Sequence, residues 1–129
     1  MSLQARRIAD YLGHIPIAIA RIDRYIDDLD EPSFLREAMV QDAVIRNLEI
    51  IGEACRNIAR ADPGFIEAHP EIPFSVAYEM RNALAHGYFK TDLAIVWRTI
   101  ENDLPPLRES VGPLLAALRG SEGGNDPGP

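Results

Sequence analysis

The chain has 129 residues, of which 47% are hydrophobic, and it carries one cysteine and a formal net charge of −7. This length fits one domain with a real core. A single cysteine excludes a disulfide scaffold, and no apolar run is long enough for a membrane span or a signal peptide, so we expect a cytoplasmic protein. The net negative charge excludes sequence-independent binding of nucleic acid over a broad surface, because such binding needs a basic face.

The first predicted helix carries a single apolar stripe. Its apolar residues recur at alternating steps of four and three: Ile8, Leu12, Ile15, Ile19, Ile22, Ile26 and Leu29. Pro16 lies inside this segment and removes one backbone hydrogen bond, so we expect a kink or a division of the helix there. An acidic run that ends at Pro32 terminates the helix.

A second helix is predicted from Phe34 to Ala61, with Ser33 as its N-cap. Its apolar residues cover more than half of the circumference, and polar residues cluster on the other side: Asp42, Arg46, Glu49, Glu53, Arg56, Asn57 and Arg60. A helix this apolar is usually covered on two sides, and the second cover in a small bundle is often another subunit. Asn47 falls within the apolar arc, so it needs a hydrogen-bonding partner inside the protein.

Breaker residues divide the middle of the chain. Residues 62–73 contain three prolines and a glycine, and we expect a loop there. A third helix begins near Pro73 or Phe74, because proline suits a first turn. It runs to about His86, where Gly87 supplies a left-handed C-cap.

The last third of the chain is also predicted to be helical. Asp92 caps the last helix, and Pro105 and Pro106 interrupt it before helical spacing continues to Leu118. The final ten residues are rich in glycine and proline and cannot form a core.

These patterns together predict an all-α fold, an up-and-down bundle of four main helices. We find no strand alternation of useful length, no internal repeat and no domain linker. The helical domain spans residues 1–119, and residues 120–129 form a disordered tail.

Most familiar sites are absent from the sequence. The metal-binding residue types, His14, His69, His86 and Cys55, are scattered without ligand-type spacing, so we expect no metal and no cofactor. There is no glycine-rich phosphate loop and no nucleophile elbow. Cys55 lies on the apolar stripe, which favours a role as a small core hydrophobe.

One segment near the end of the third helix concentrates polar side chains. Asn82 and His86 are four residues apart and share a helix face, whereas Arg81 points about 140° away from His86 on an ideal helix. Tyr88 follows just beyond the cap. A histidine that titrates near neutral pH and a fixed guanidinium suit proton transfer and stabilisation of phosphate charge.

The same residues also have an ordinary structural explanation. A histidine near a helix C-terminus is favoured by the helix dipole, and arginine and asparagine on a helix are usually solvated. From composition and spacing alone, the structural explanation is the better one.

A family resemblance changes that balance. Arg81, His86 and Tyr88 match the Arg-x-x-x-x-His-x-Tyr signature of HepT-like toxins in the HEPN superfamily. Residues 41–54, 70–74, 88–97 and 103–105 also resemble blocks of that family, and the resemblance covers roughly residues 3–118 in the same order.

The resemblance implies a homodimeric helical bundle whose two motif helices border a shared cleft. It implies a metal-independent endoribonuclease, in which the ribose 2′-OH attacks the adjacent phosphate of a tRNA or mRNA. Arg81 and His86 would be the catalytic pair, with His86 moving the proton and Arg81 holding the scissile phosphate. Asn82 would be an accessory residue.

The resemblance also implies a partner. The chain would be the toxin of a type VII toxin–antitoxin pair, and Tyr88 would be the position that the antitoxin, a minimal nucleotidyltransferase called MntA, modifies with AMP. The modification adds bulk and negative charge beside an RNA cleft, which is sufficient to block RNA binding.

Two alternatives stay open from the sequence. One is a non-catalytic dimeric module that binds a nucleotidyltransferase partner or a nucleotide, and the other is a structural dimer with a solvated Arg–His pair. The charge distribution permits the nuclease, since residues 36–60 have a net charge of zero, with four acidic and four basic residues. RNA binding would then depend on a few arginines from two subunits.

Overall fold

The computed structural model describes residues 2–74, 77 and 92–124, and for residues 121–124 it describes the backbone only. The described residues form helices and connecting turns, and none of them lies in a β-strand. The all-α class is therefore confirmed.

The first helix, α1, spans Leu3–Ile26 and is capped by Ser2, whose side chain accepts a hydrogen bond from the N–H of Ala5 at 3.1 Å. The helix continues through Pro16, so the proline does not divide it, and the alternative, a kink, stays a prediction. Leu12, Ile15 and Ile19 are fully buried on both sides of the proline. This packing offsets the roughly 3 kcal/mol that an interior proline costs.

Two helices replace the single second helix that the sequence predicts. A short α2 spans Glu31–Phe34, and α3 spans Ala38–Ala61. The prediction of Ser33 as an N-cap is wrong, because Asp30 takes that role and accepts the N–H of Ser33 at 2.9 Å. A proline follows Glu31 in the first turn of α2, where its missing N–H costs nothing.

The central stripe of the apolar arc of α3 is buried within a single protomer, whereas Ala43, Ile45 and Ile50, which widen the arc, are half-buried. Its central side chains have at most 2% of their surface exposed: Val44, Leu48, Ile51, Ala54, Cys55 and Ile58. The central stripe therefore needs no second subunit as cover. The homodimer stays a prediction from the family resemblance.

A further short helix, α4, lies inside the predicted loop and spans Pro63–Ala68. Asp62 caps it by accepting the N–H of Phe65 at 3.3 Å, and Pro63 occupies its first turn. Phe74 and Ala77 are helical, which agrees with the predicted start of the third helix.

The last two described helices are α5, Leu93–Asn102, and α6, Leu104–Gly124. The predicted cap of α5 is confirmed, because the carboxylate of Asp92 accepts the N–H groups of Ala94 and Ile95 at 3.1 and 3.3 Å. The break predicted from the two prolines lies at Asp103, immediately before α6. This last helix ends five residues beyond the predicted domain boundary at residue 119, and the division into a domain and a disordered tail stays a prediction.

Helix α1 packs antiparallel to both α3 and α6. Gln4 near its start donates a hydrogen bond to the carbonyl of Ala61 at the end of α3. Asp23 near its end pairs with Arg108 near the start of α6. The core lies between these helices, and the ring of Phe34 meets that of Trp97 with centroids 5.2 Å apart. Across the described parts of the chain, no helix combines the length and hydrophobicity of a membrane span.

Candidate active site

The four predicted active-site residues, Arg81, Asn82, His86 and Tyr88, lie outside the described residues. Their roles stay predictions. What the structure describes is the protein on either side of the motif segment, which we define as residues 78–91.

The chain enters the motif segment from a packed position. Phe74 and Ala77 are 5% and 2% exposed, and the N–H of Ala77 donates to the carbonyl of Pro73 at 3.4 Å. The ring of Phe74 meets the ring of Phe65 of α4 edge-on, with centroids 6.3 Å apart. The core therefore holds the chain in place before the motif begins.

The chain leaves the motif segment at the cap of α5. Asp92 satisfies the first N–H groups of that helix, and Val96 and Trp97 are buried one turn later. The Trp97 ring rests against Phe34. Both ends of the motif segment are therefore attached to the same hydrophobic core.

A small polar arrangement stabilises the turn just before the motif segment. The Nδ1 atom of His69 lies 2.9 Å from Oε1 of Glu71, and the imidazole packs on the ring of Phe65 with centroids 4.4 Å apart. The hydrogen bond with His69 holds the pKa of the Glu71 carboxyl below its ordinary value. These contacts are local to the turn, which makes His69 a suitable control histidine for the experiments below.

A polar groove lies between α1 and α3, and sequence reasoning missed it. It encloses about 240 Å³ and is lined by His14, Arg46, Glu49, Ile50, Glu53, Ala54 and Asn57. The spacing of Glu49, Glu53 and Asn57 places them in one row along α3. The row is visible in the sequence, whereas the placement of His14 opposite it depends on how the two helices pack.

Cys55 is not a candidate nucleophile. Burial raises the pKa of its thiol to about 12, so the sulfur stays protonated at neutral pH. Its predicted role as a small core hydrophobe is confirmed by its 2% exposure. Among residues 2–74, 77 and 92–124, no group of three or more His, Cys, Asp or Glu side chains is arranged to hold a metal ion.

Comparison with known proteins gives consistent matches. The sequence model of the family described as Ribonuclease HepT-like matches residues 15–114. The chain is 41% identical over 99 residues to "Probable ribonuclease HepT" of Thermococcus cleftensis. This alignment covers 77% of this chain and 87% of the relative. No solved structure matches.

A second relative is a longer protein. Over 108 residues, the chain is 38% identical to "Gamma-glutamylcyclotransferase and putative RNase" of Methanocaldococcus jannaschii. The alignment covers 84% of this chain but 47% of that relative, so the chain spans about half of its length.

These matches define the class of protein: the HEPN superfamily, in which the matched relatives are named as ribonucleases or putative RNases. Within that class, the chain belongs to the HepT-like family.

Proposed function

We propose that this protein is the toxin of a type VII toxin–antitoxin pair and a metal-independent endoribonuclease that cleaves tRNA or mRNA. The observation that carries the proposal is the Arg81, His86, Tyr88 motif inside a chain matched to the HepT-like family over residues 15–114.

The proposed chemistry needs a base, an acid and a cation. His86 accepts the proton of the ribose 2′-OH, and the 2′-oxygen attacks the adjacent phosphorus. The bond from phosphorus to the 5′-oxygen breaks, and that oxygen takes up a proton from the protonated His86, which returns to its neutral form. The products are a 2′,3′-cyclic phosphate and a 5′-OH. Arg81 stabilises the additional charge on the phosphate oxygens, and Asn82 assists in orienting the phosphate.

A net charge of −7 implies site-limited binding of RNA. In the proposed homodimer, two motif segments border one cleft, and a few arginines from both subunits contact the phosphates. The acidity of the remaining chain then lowers non-specific affinity without closing the cleft.

A cleavage assay with purified protein in EDTA tests this proposal. We expect RNA fragments with 2′,3′-cyclic phosphate ends, and a rate at least about a hundredfold lower for His86→Ala and for Arg81→Ala. His69→Ala removes a histidine that is bonded only within its own turn among the described contacts, and it should cleave at the rate of the unmodified chain.

Unchanged cleavage by His86→Ala would contradict the catalytic assignment. No cleavage under any condition, together with a tight complex with a nucleotidyltransferase, would instead favour the non-catalytic interaction module.

The antitoxin half of the proposal has a separate test. A small nucleotidyltransferase encoded next to this gene, supplied with ATP, should add one AMP per chain and stop cleavage. Mass spectrometry should locate the AMP on Tyr88 and find none on Tyr88→Phe, whereas Tyr25→Phe should be modified normally. Transfer to another residue would contradict the assignment of Tyr88.

A further inference from the structure

The groove between α1 and α3 presents a donor beside an acceptor. The Nη1 atom of Arg46 lies 3.7 Å from Oε2 of Glu49, and their side chains are 70% and 46% exposed. Because both ends of this pair face solvent, it contributes at most about 1 kcal/mol to folding. It therefore remains available to a ligand that can replace its contacts with solvent.

The charges of the groove select which part of an RNA can enter it. The lining has two carboxylates, Glu49 and Glu53, against one guanidinium, Arg46, so its charge does not favour the phosphates of the backbone. The groups of RNA that carry N–H donors for a carboxylate are the edges of the bases. Unpaired bases are commonly read in this way, through their Watson–Crick edges and by stacking on aromatic or guanidinium planes.

The Watson–Crick edge of guanine has an acceptor, O6, followed by two donors, N1–H and N2–H. Arg46 can donate to O6, and the carboxylate of Glu49 can accept both N–H groups. Adenine presents a donor and then an acceptor, cytosine a donor and two acceptors, and uracil a donor between two acceptors. Guanine is therefore the base whose edge complements this pair in order.

We propose that the groove between α1 and α3 binds one unpaired guanine of the RNA substrate through Arg46 and Glu49. This inference rests on the proposed function for the identity of the substrate as RNA. The groove would be a second site, which selects the RNA sequence, beside the predicted catalytic site of the motif segment.

The remaining lining of the groove suits a flat ring. Ala54 is buried and Ile50 is half-buried, which gives an apolar surface along α3, while His14 of α1 supplies an imidazole opposite. The volume of about 240 Å³ is below the ~300–1,000 Å³ of pockets that take drug-sized ligands. A groove of this size suits one base.

Fluorescence anisotropy with a labelled oligouridylate that contains a single guanine tests the proposal. The RNA is 2′-O-methylated so that it cannot be cleaved. A second RNA carries inosine, which lacks the N2 amino group, and a third carries adenine. We expect the guanine RNA to bind roughly tenfold more tightly than the inosine RNA, and more tightly still than the adenine RNA.

Variants connect that preference to the groove. Glu49→Gln should remove the discrimination between guanine and inosine. Arg46→Ala should lower the affinity for the guanine RNA to nearly the affinity for the adenine RNA. Glu101→Gln is the matched control, since Glu101 is an exposed glutamate on α5 and its replacement makes the same change in charge. It should keep the preference of the unmodified chain, and thermal melts should show that all three variants are folded.

Equal affinity for the guanine and inosine RNAs overturns the proposal, as does a preference that survives Glu49→Gln or an absence of binding to all three RNAs. Failure of the proposed function looks different, because guanine discrimination would persist without any cleavage in EDTA. Normal cleavage without discrimination would reject the groove and leave the proposed function intact.

Discussion

The two faces of α3 differ clearly in how far their side chains are exposed to solvent. On the inner face, Val44, Leu48 and Ile51 are fully buried. On the outer face, two or three positions away along the sequence, Arg46 and Glu53 are exposed and line a groove. Because 3.6 residues complete a turn, neighbouring positions on this helix point to different faces and have different roles. Changes on the inner face should alter stability, and changes on the outer face should alter recognition.

The largest effect on stability is expected from Leu48→Ala. Leu48 is fully buried between helices, so truncation removes apolar contact and leaves a cavity. The free energy of unfolding should fall by about 2–5 kcal/mol, as measured by urea denaturation. The neighbouring outer-face change Glu49→Gln should alter it by less than about 0.5 kcal/mol. Similar losses for the two variants would contradict the division between the faces.

Asn47 is the exception on the inner face, and it provides a sharper test. It is 4% exposed, and its Nδ2 donates to the carbonyl of Ala43 at 2.9 Å. Its Oδ1 has no hydrogen-bond partner among the described residues. The partner that the sequence requires is therefore present for one end of the amide only.

Replacing Asn47 with leucine should raise the free energy of unfolding by about 1 kcal/mol. The change removes a buried acceptor that costs about 1–3 kcal/mol when unpaired, and it loses one hydrogen bond worth about 0.5–1.5 kcal/mol. Urea denaturation measures the difference, with Asn57→Leu on the outer face as the control. A loss of stability above about 1 kcal/mol would mean that Oδ1 is hydrogen-bonded in solution.

The effect that is smallest at neutral pH concerns Cys55, because it develops only in alkaline solution. Burial raises the pKa of its thiol from 9.0 to about 12, so the folded chain keeps a proton that the unfolded chain releases between these values. The free energy of unfolding should therefore fall as pH rises from 9.0 to about 12. Cys55→Ala should show a shallower fall over the same range. Equal slopes in urea titrations would contradict the assignment.

Local chemistry explains which parts of the fold could be predicted from the sequence. Asp92 was recognisable as a cap because its contacts lie within three residues. Ser33 was a wrong choice because Asp30 is an equally good cap three residues earlier, and the sequence alone cannot decide between them. The Asp62–Pro63 pair is a helix-start signal that could have revealed α4 within the predicted loop.

The two candidate sites also differ in how far the sequence reveals them. The Arg81, His86 and Tyr88 motif is a continuous pattern, so the sequence reveals it and the family matches support the class of protein. The groove combines His14 of α1 with residues of α3 more than 30 positions away. Only the antiparallel packing of the two helices brings them together, and no spacing rule within one helix predicts it.

The most direct test of the account is the cleavage rate in EDTA, measured under conditions in which every variant is folded. We expect His86→Ala to cleave at least about a hundredfold more slowly than the unmodified chain, whereas Leu48→Ala, despite its lower stability, should cleave at the unmodified rate. Cleavage by His86→Ala at the unmodified rate would contradict the account.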